Sequence, residues 1–369
     1  LFVFAKIYLV SDLSFMISVI LIILSMILAY LSWKYIERPF RKRDKITDMN
    51  IMTNKKLLTY FASSFLIIFI SASLFNFNKT LKASTELPIK ISESMERFEP
   101  KDHCFDIDFA HLIDSKKWYC EIGPINKPIS FAVIGDSHAL ALKPVLSTIA
   151  NEKNLKGIFT GFSGCLPLLD IYTIRGDQVE TNCKKLNEKL FNFIKANKIT
   201  KIFLISRWSY YTDGSYDKSK FSLISKDKVF ASNPQKSREA FKYGLNNTVE
   251  RYNKIKVKVI FIHQVPLQLF PARNIYLNAI KKDESNYEKY LYNFSVDYKK
   301  HLSLTQFVRN NVNLIKHHSL FEVINPDKFF CDSRKCIIGS QEGSFYADSG
   351  HLSIQGSLKL KNIIEKTFD

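Results

Sequence analysis

Two uncharged apolar runs lead the chain, and an alternation of short strands with longer amphipathic helices follows them. Leu13 to Trp33 carries no charge and is dominated by Ile, Leu and Met, long enough to cross a bilayer as a helix. Lys34 to Arg43 is strongly basic, 44–56 continues as a basic loop, and Leu57 to Phe75 is a second uncharged run. Two spans that share a basic connection are expected to keep that loop in the cytoplasm and both flanks outside. Residues 76–120 begin polar and poorly periodic and read as an extracytoplasmic linker or stem. From residue 121 onward the period changes. Strands are predicted at Ile129–Ile134, Gly157–Phe162, Ile202–Ser206, Val257–His263 and Val312–Ile315. Helices are predicted at Ala139–Ala150, with Pro144 as a kink, and at Lys184–Asn197 and Arg238–Asn253. The fold class is therefore α/β, a parallel sheet flanked by helices, preceded by two transmembrane helices. Ser209–Gln235 is long, polar and rich in Ser, Lys and Tyr. It reads either as a carbohydrate-facing lid over the site edge or as a surface loop.

Composition changes this picture in two places. The formal charge of +18 is large, but Lys and Arg are scattered among Tyr and Phe without any nucleic-acid module, so no nucleic-acid partner is expected. The six cysteines, Cys104, Cys120, Cys165, Cys183, Cys331 and Cys336, all follow residue 100. Proximity favours the pairs 104–120, 165–183 and 331–336 among the fifteen connectivities allowed. A zinc site is the competing use of cysteine, yet no Cys-x-x-Cys couplet occurs, and an even count in the polar half fits an oxidising compartment. No metal site is expected.

Candidate chemistry lies at the first strand end. Phe131-Ala-Val-Ile-Gly-Asp-Ser-His-Ala-Leu140 reads as a buried strand, an abrupt glycine turn and a helix start. Ser137 then stands where helix amides and dipole favour developing negative charge. A serine nucleophile needs a base, and Asp348-Ser-Gly-His351 supplies an acid three residues before a histidine. Either motif alone is an ordinary turn or helix start; together, and in the order Ser, Asp, His, they point to nucleophilic acyl chemistry. Asp136 and His138 read as structural or capping, and His317 and His318 as loop residues.

Gly-Asp-Ser-His early and Asp-x-x-His-Leu-Ser late resemble the first and last blocks of the SGNH (GDSL-type) hydrolase family. The resemblance implies Ser137 as nucleophile, His351 as its general base and Asp348 as the orienting acid. Gly161-Phe-Ser-Gly-Cys165 is similar to the second block, which implies Gly164 as an oxyanion donor beside the Ser137 amide; a simple tight turn is the alternative. The third block departs. Where the family has an asparagine, this chain has Ser206-Arg-Trp-Ser209, a variant similar to that of acyltransferase-linked members. Trp208 occupies the matching position, so its indole N–H is one expectation for the third oxyanion donor. Arg207 is the other, as an oxyanion or acceptor-binding cation. A core or sugar-stacking role for Trp208 stays open.

Tyr35-Ile-Glu-Arg-Pro-Phe40 after an apolar helix also resembles the end of the last core helix of the acyltransferase-3 membrane family. Some of its members carry a further span and an extracytoplasmic SGNH domain. The chain opens at Leu1 within an apolar stretch, so it is expected to be part of a longer protein. On this resemblance the segments are the end of that membrane domain (1–43), a cytoplasmic loop (44–56), a span (57–75), a stem (76–120) and an SGNH domain (121–369). The resemblance implies an O-acyltransferase, O-acetyl in type, modifying an envelope polysaccharide through a serine acyl-enzyme. No bound cofactor is expected; acetyl-CoA would donate through the membrane domain, and the partners are the polysaccharide and the bilayer of the bacterial inner membrane. A tethered carbohydrate esterase and a silent glycan-binding module are the alternatives.

Overall fold

The computed structural model describes residues 15–37, 88–99, 104–106, 118–175, 178–180, 182–219, 221–228, 233–282 and 288–369. The chain divides into two units, Leu1–Leu87 and Pro88–Asp369. In the first, helix α1 (Phe15–Ser32) has a mean hydropathy of 2.6 and buries none of its residues. Its 18 residues span about 27 Å at the α-helical rise, close to the thickness of a bilayer's hydrocarbon core. A single turn of π-helix, Trp33–Glu37, follows it. The second apolar run at 57–75, the loop at 44–56 and the residues Arg38 to Phe40 lie outside the described residues.

The second unit is built on a six-stranded sheet. Its strands in chain order are β1 (Cys120–Ile122), β2 (Ile129–Gly135), β3 (Lys156–Gly161), β4 (Lys201–Ile205), β5 (Lys258–Ile262) and β6 (Phe321–Ile324), arranged spatially as β1-β3-β2-β4-β5-β6. Every pairing is parallel except β1 with β3. The longer intervening helices are α3 (Ser137–Glu152), α4 (Asn182–Ala196), α5 (Pro234–Lys254) and α6 (Tyr298–Leu314); α2 (Ile89–Ser94) precedes the sheet. From β2 the chain crosses first to β3 on one side and then to β4 on the other. The carboxyl end of β2 is thus the point where strand order reverses, the place where open parallel sheets hold their ligands.

Strands buried on both faces read as continuous apolar runs, and Phe131–Ile134 of β2, Ile202–Ile205 of β4 and Val259–Ile262 of β5 do so. Phe131, Phe159 and Phe203 are buried on one face of the sheet, and Phe261 on the other, where it shares a cluster with Phe241 of α5. Each such phenyl ring stabilises the fold by about 1.5–3 kcal/mol relative to exposure. Pro144 removes one backbone donor inside α3, yet the helix continues through it.

Four of the five expected strands and all three expected helices are present within a few residues. The exception is Val312–Ile315. Val312 to Leu314 form the last turn of α6, whose buried face runs Leu304, Val308, Val312 at helical spacing, and the fifth parallel strand is β6. The expected cysteine pairs all occur: Cys104 with Cys120, Cys165 with Cys183, and Cys331 with Cys336. Pro88 to Glu99, within the stretch read as a stem, packs on the globular unit, with Ile91 only 2% exposed.

Candidate active site

The site begins with the exit of β2. Gly135 pairs with Gly161 on one side and Ile205 on the other. A Cβ at Gly135 would stand 1.7 Å from the carbonyl oxygen of Ile205 and 2.7 Å from Cβ of Ala139, so no other residue fits between strand and helix. Asp136 caps α3: its Oδ1 accepts the N–H of His138 at 2.9 Å. Ser137 is therefore the first helical residue, in a first turn whose N–H groups lack intrahelical partners.

Asp136 does more than cap. Its Oδ2 accepts from Ser206 Oγ at 2.6 Å, the Arg207 N–H at 3.0 Å and the Tyr211 hydroxyl at 3.2 Å. Burial pushes the Asp136 pKa up, and the donations from Ser206, His138 and Arg207 oppose that rise. One carboxylate thereby locks the turn that presents Ser137 to the segment that follows β4. No local sequence signal marks Ser206 and Tyr211 for this role.

His351 closes the constellation. Its Nε2 lies 2.7 Å from Ser137 Oγ and its Nδ1 lies 2.7 Å from Asp348 Oδ2. A carboxylate only accepts, so Nδ1 carries the proton and Nε2 is left to accept from the serine hydroxyl. Asp348 Oδ1 accepts the N–H groups of Gly350 and His351 at 2.6 and 2.8 Å. Burial resists ionisation of Asp348, but these donations and the imidazole outweigh it and hold its pKa below the usual carboxylate range. The loop is bracketed from outside: the Ser344 N–H donates to Ser94 Oγ at 2.8 Å and the Ile354 N–H to the Glu96 carbonyl at 3.0 Å. The His138 ring packs against that of His351, tilted by 38° with centroids 4.6 Å apart. Its pKa lies well below the ordinary value because it is buried and faces His351 and Arg207, so it stands as a neutral wall.

A cleft of about 570 Å³ opens over Ser137 and His351. Gly164, with φ +69°, lines it opposite the serine, and its positive φ fits the absence of a side chain. The neighbouring Ser163 is clamped, its N–H and Oγ both donating to Asp106 at 2.6 and 2.7 Å. Arg207 also lines the cleft, its guanidinium 5.2 Å from the Tyr210 ring centroid. Arg207 Nε is buried without a hydrogen-bond partner among the described residues. Burial lowers its pKa while the Asp136 carboxylate works against that shift.

Trp208 does not take the place expected of an oxyanion donor. It is 0% exposed, its Nε1–H donates to the Ile262 carbonyl at 2.7 Å, and its indole stacks on Phe261 at 4.2 Å. The chain leaves β4 with Ser206 and the Arg207 N–H held by Asp136, which sends Trp208 into the core and leaves Arg207 at the cleft. His317 and His318 stack on each other at 4.4 Å at the end of α6, away from these residues.

Comparison with known proteins agrees with this architecture. The family model described as SGNH domain, fused to AT3 domains, matches residues 103–366. Among solved structures, the periplasmic domain of a lipopolysaccharide acetyltransferase from Salmonella ser. Paratyphi A is similar, with a TM-score of 0.50 and 19% identity over 72% of this chain and 90% of that one. A GDSL-like lipase from Bacteroides thetaiotaomicron aligns with a TM-score of 0.33 and 11% identity, over 66% of this chain and 89% of the other. No curated protein matches the chain.

Proposed function

Because this chain belongs to the family of SGNH domains fused to AT3 domains, we propose that it is an O-acyltransferase that acetylates an envelope polysaccharide through a Ser137 acyl-enzyme. The observation that carries the reading is the relay from Ser137 Oγ to His351 Nε2 and from His351 Nδ1 to Asp348, each step 2.7 Å. The Salmonella domain is named for acetyl transfer to lipopolysaccharide, which supports a glycan acceptor here.

The proposed transfer has two half-reactions. Ser137 Oγ attacks the carbonyl carbon of the acyl donor while His351 Nε2 takes its proton, and Asp348 stabilises the imidazolium that forms. Collapse of the tetrahedral intermediate returns that proton to the leaving group and leaves acetyl on Ser137. An acceptor hydroxyl then repeats the sequence, giving its proton to His351, forming the new ester and releasing the serine. The Ser137 and Gly164 amides are assigned to the oxyanion, with Arg207 as the third donor in place of the family's asparagine. Acetyl-CoA is the proposed donor, delivered through an AT3 membrane domain upstream. Helix α1 and the run at 57–75 are assigned as spans, with the basic loop cytoplasmic and the SGNH domain periplasmic.

The test is transfer of radiolabelled acetyl to the envelope glycan in cells carrying each variant. Ser137→Ala and His351→Ala should each reduce transfer by roughly three or more orders of magnitude, and Asp348→Asn by less, with the protein still folded and inserted. Undiminished acetylation by Ser137→Ala would exclude the serine route. Net deacetylation of the glycan by the wild type would replace the transferase with an esterase.

A further inference from the structure

A second, larger cleft of about 1170 Å³ opens beside the one that holds Ser137. The two share Phe221, and the segment 207–216 runs from one into the other. Arg207 and Tyr210 line the serine cleft, while Thr212, Ser215 and Tyr216 line the larger one. The far wall is tied to the catalytic loop as well. Tyr216 donates its hydroxyl to the Leu267 carbonyl at 2.8 Å, and the Leu267 side chain lies against Gly350, beside His351.

The walls of this cleft carry six cationic side chains and two acidic ones, a net of four positive charges. Arg238 pairs with Asp213, and Lys335 with Asp297 at 2.9 Å. Lys218, Lys299 and Lys300 are exposed and make no salt bridge among the described residues. Three aromatic rings, Tyr216, Phe221 and Tyr292, line the same space, and Lys300 Nζ stands 5.3 Å from the Tyr216 ring centroid. A concave wall of one sign focuses the field on a ligand of the opposite sign, and half-buried rings that line it offer apolar faces to sugar rings.

We propose that this cleft is the acceptor subsite and that the acceptor is an anionic saccharide chain, bearing carboxylates or phosphodiesters. The proposal rests on the acyl-transfer reading of Ser137. The lysines draw the chain in, the aromatic rings align it, and Phe221 marks where a sugar hydroxyl passes towards His351.

Three short probes test it on the full chain in detergent: trigalacturonate, a glycerol phosphate trimer, and maltotriose as the neutral control. At least one charged probe should bind more tightly than maltotriose, and its affinity should fall as salt rises from about 0.05 to 0.5 M. Whichever charged probe binds identifies carboxylate or phosphodiester as the recognised group. Lys299→Glu with Lys300→Glu should weaken that binding by about tenfold or more. The double variant should leave maltotriose binding and the hydrolysis of p-nitrophenyl acetate unchanged, because neither lysine belongs to the serine cleft; the ester assay also reports that the variant is folded. Lys299→Gln with Lys300→Gln should move affinity the same way by a smaller factor. Equal affinity for all three probes, or charged-probe binding that the double variant leaves intact, overturns the subsite. Wild-type ester hydrolysis by Ser137→Ala would instead overturn the serine chemistry, while the probe affinities would still decide the cleft.

Discussion

Replacing Trp208 by Phe distinguishes an indole that builds the core from one that touches the reacting atoms. The substitution keeps an aromatic ring against Phe261 and removes the N–H that donates to the Ile262 carbonyl at 2.7 Å. Leaving that buried oxygen without its donor costs about 1–3 kcal/mol. The phenyl ring is also smaller by about 40 Å³, which at ~24 cal/mol per Å³ adds about 1 kcal/mol if the core does not relax. The sum, roughly 2–4 kcal/mol, should lower the melting temperature by about 5–12 °C in a domain of this size. Turnover is expected to stay within about threefold of wild type below the transition, since the indole lies outside the serine cleft. Thermal melting followed by near-ultraviolet circular dichroism reads the first quantity, and steady-state hydrolysis of p-nitrophenyl acetate reads the second. An oxyanion donor would give the opposite pattern, with turnover down by about two to three orders of magnitude and little change in melting. That result would refute the assignment of Trp208 to the core.

Asp136→Asn must turn an amide NH2 towards at least one of the four donors that Asp136 accepts; it should lower kcat more than it raises KM and destabilise by about 1–3 kcal/mol, and unchanged kcat would show that the network does not position Ser137. His263 is 6% exposed, and burial, with Arg309 adding to it, depresses its pKa to about 3. The unfolded chain therefore binds a proton that the folded one refuses, so stability should fall as pH drops below the unfolded value near 6.5, by about 2 kcal/mol between pH 7 and pH 5. Urea midpoints of the wild type and His263→Gln should diverge over that window, and parallel curves would contradict the shift. Removing the Cys165–Cys183 bond by a double Ser substitution opens a loop whose ends are 18 residues apart; the expected loss is about 3 kcal/mol, and because Gly164 adjoins Cys165 the variant should also hydrolyse esters more slowly at temperatures where it remains folded.

How much of this was legible in the sequence depended on the range of the interaction. The Gly-Asp-Ser turn was legible because Phe131 to Ile134 can only be a buried strand and the glycine must end it. Asp348 and His351 were legible because three residues of spacing let one carboxylate hold both the loop amides and the imidazole. Val312 to Ile315 was misread from its short apolar run, although the spacing Leu304, Val308, Val312 already carried the helical period. Trp208 shows a different limit. Its alignment with the family's asparagine says which residue follows the strand, but the direction in which the chain leaves β4 is set by Asp136, some 70 residues earlier. The clasp between Ser94 and Ser344 spans 250 residues, and nothing local to either serine announces it.

The same distances order events while the chain is being made. Ser137 precedes its base by 214 residues, which at ribosomal rates of ~5–20 residues per second is about 10–40 s of synthesis. Throughout that interval β2 gains β3 and then β4 as its neighbours, and β5 and β6 extend the sheet beyond β4, so the nucleophile can be seated in a nearly finished sheet before the His351 imidazole exists to take its proton. A nascent chain of this kind carries an inert hydroxyl. Reactivity arrives with the Asp348–His351 loop, which the older segment around Ser94 and Glu96 brackets. Assembly order thus keeps a nucleophilic serine silent until the surroundings that direct it are in place.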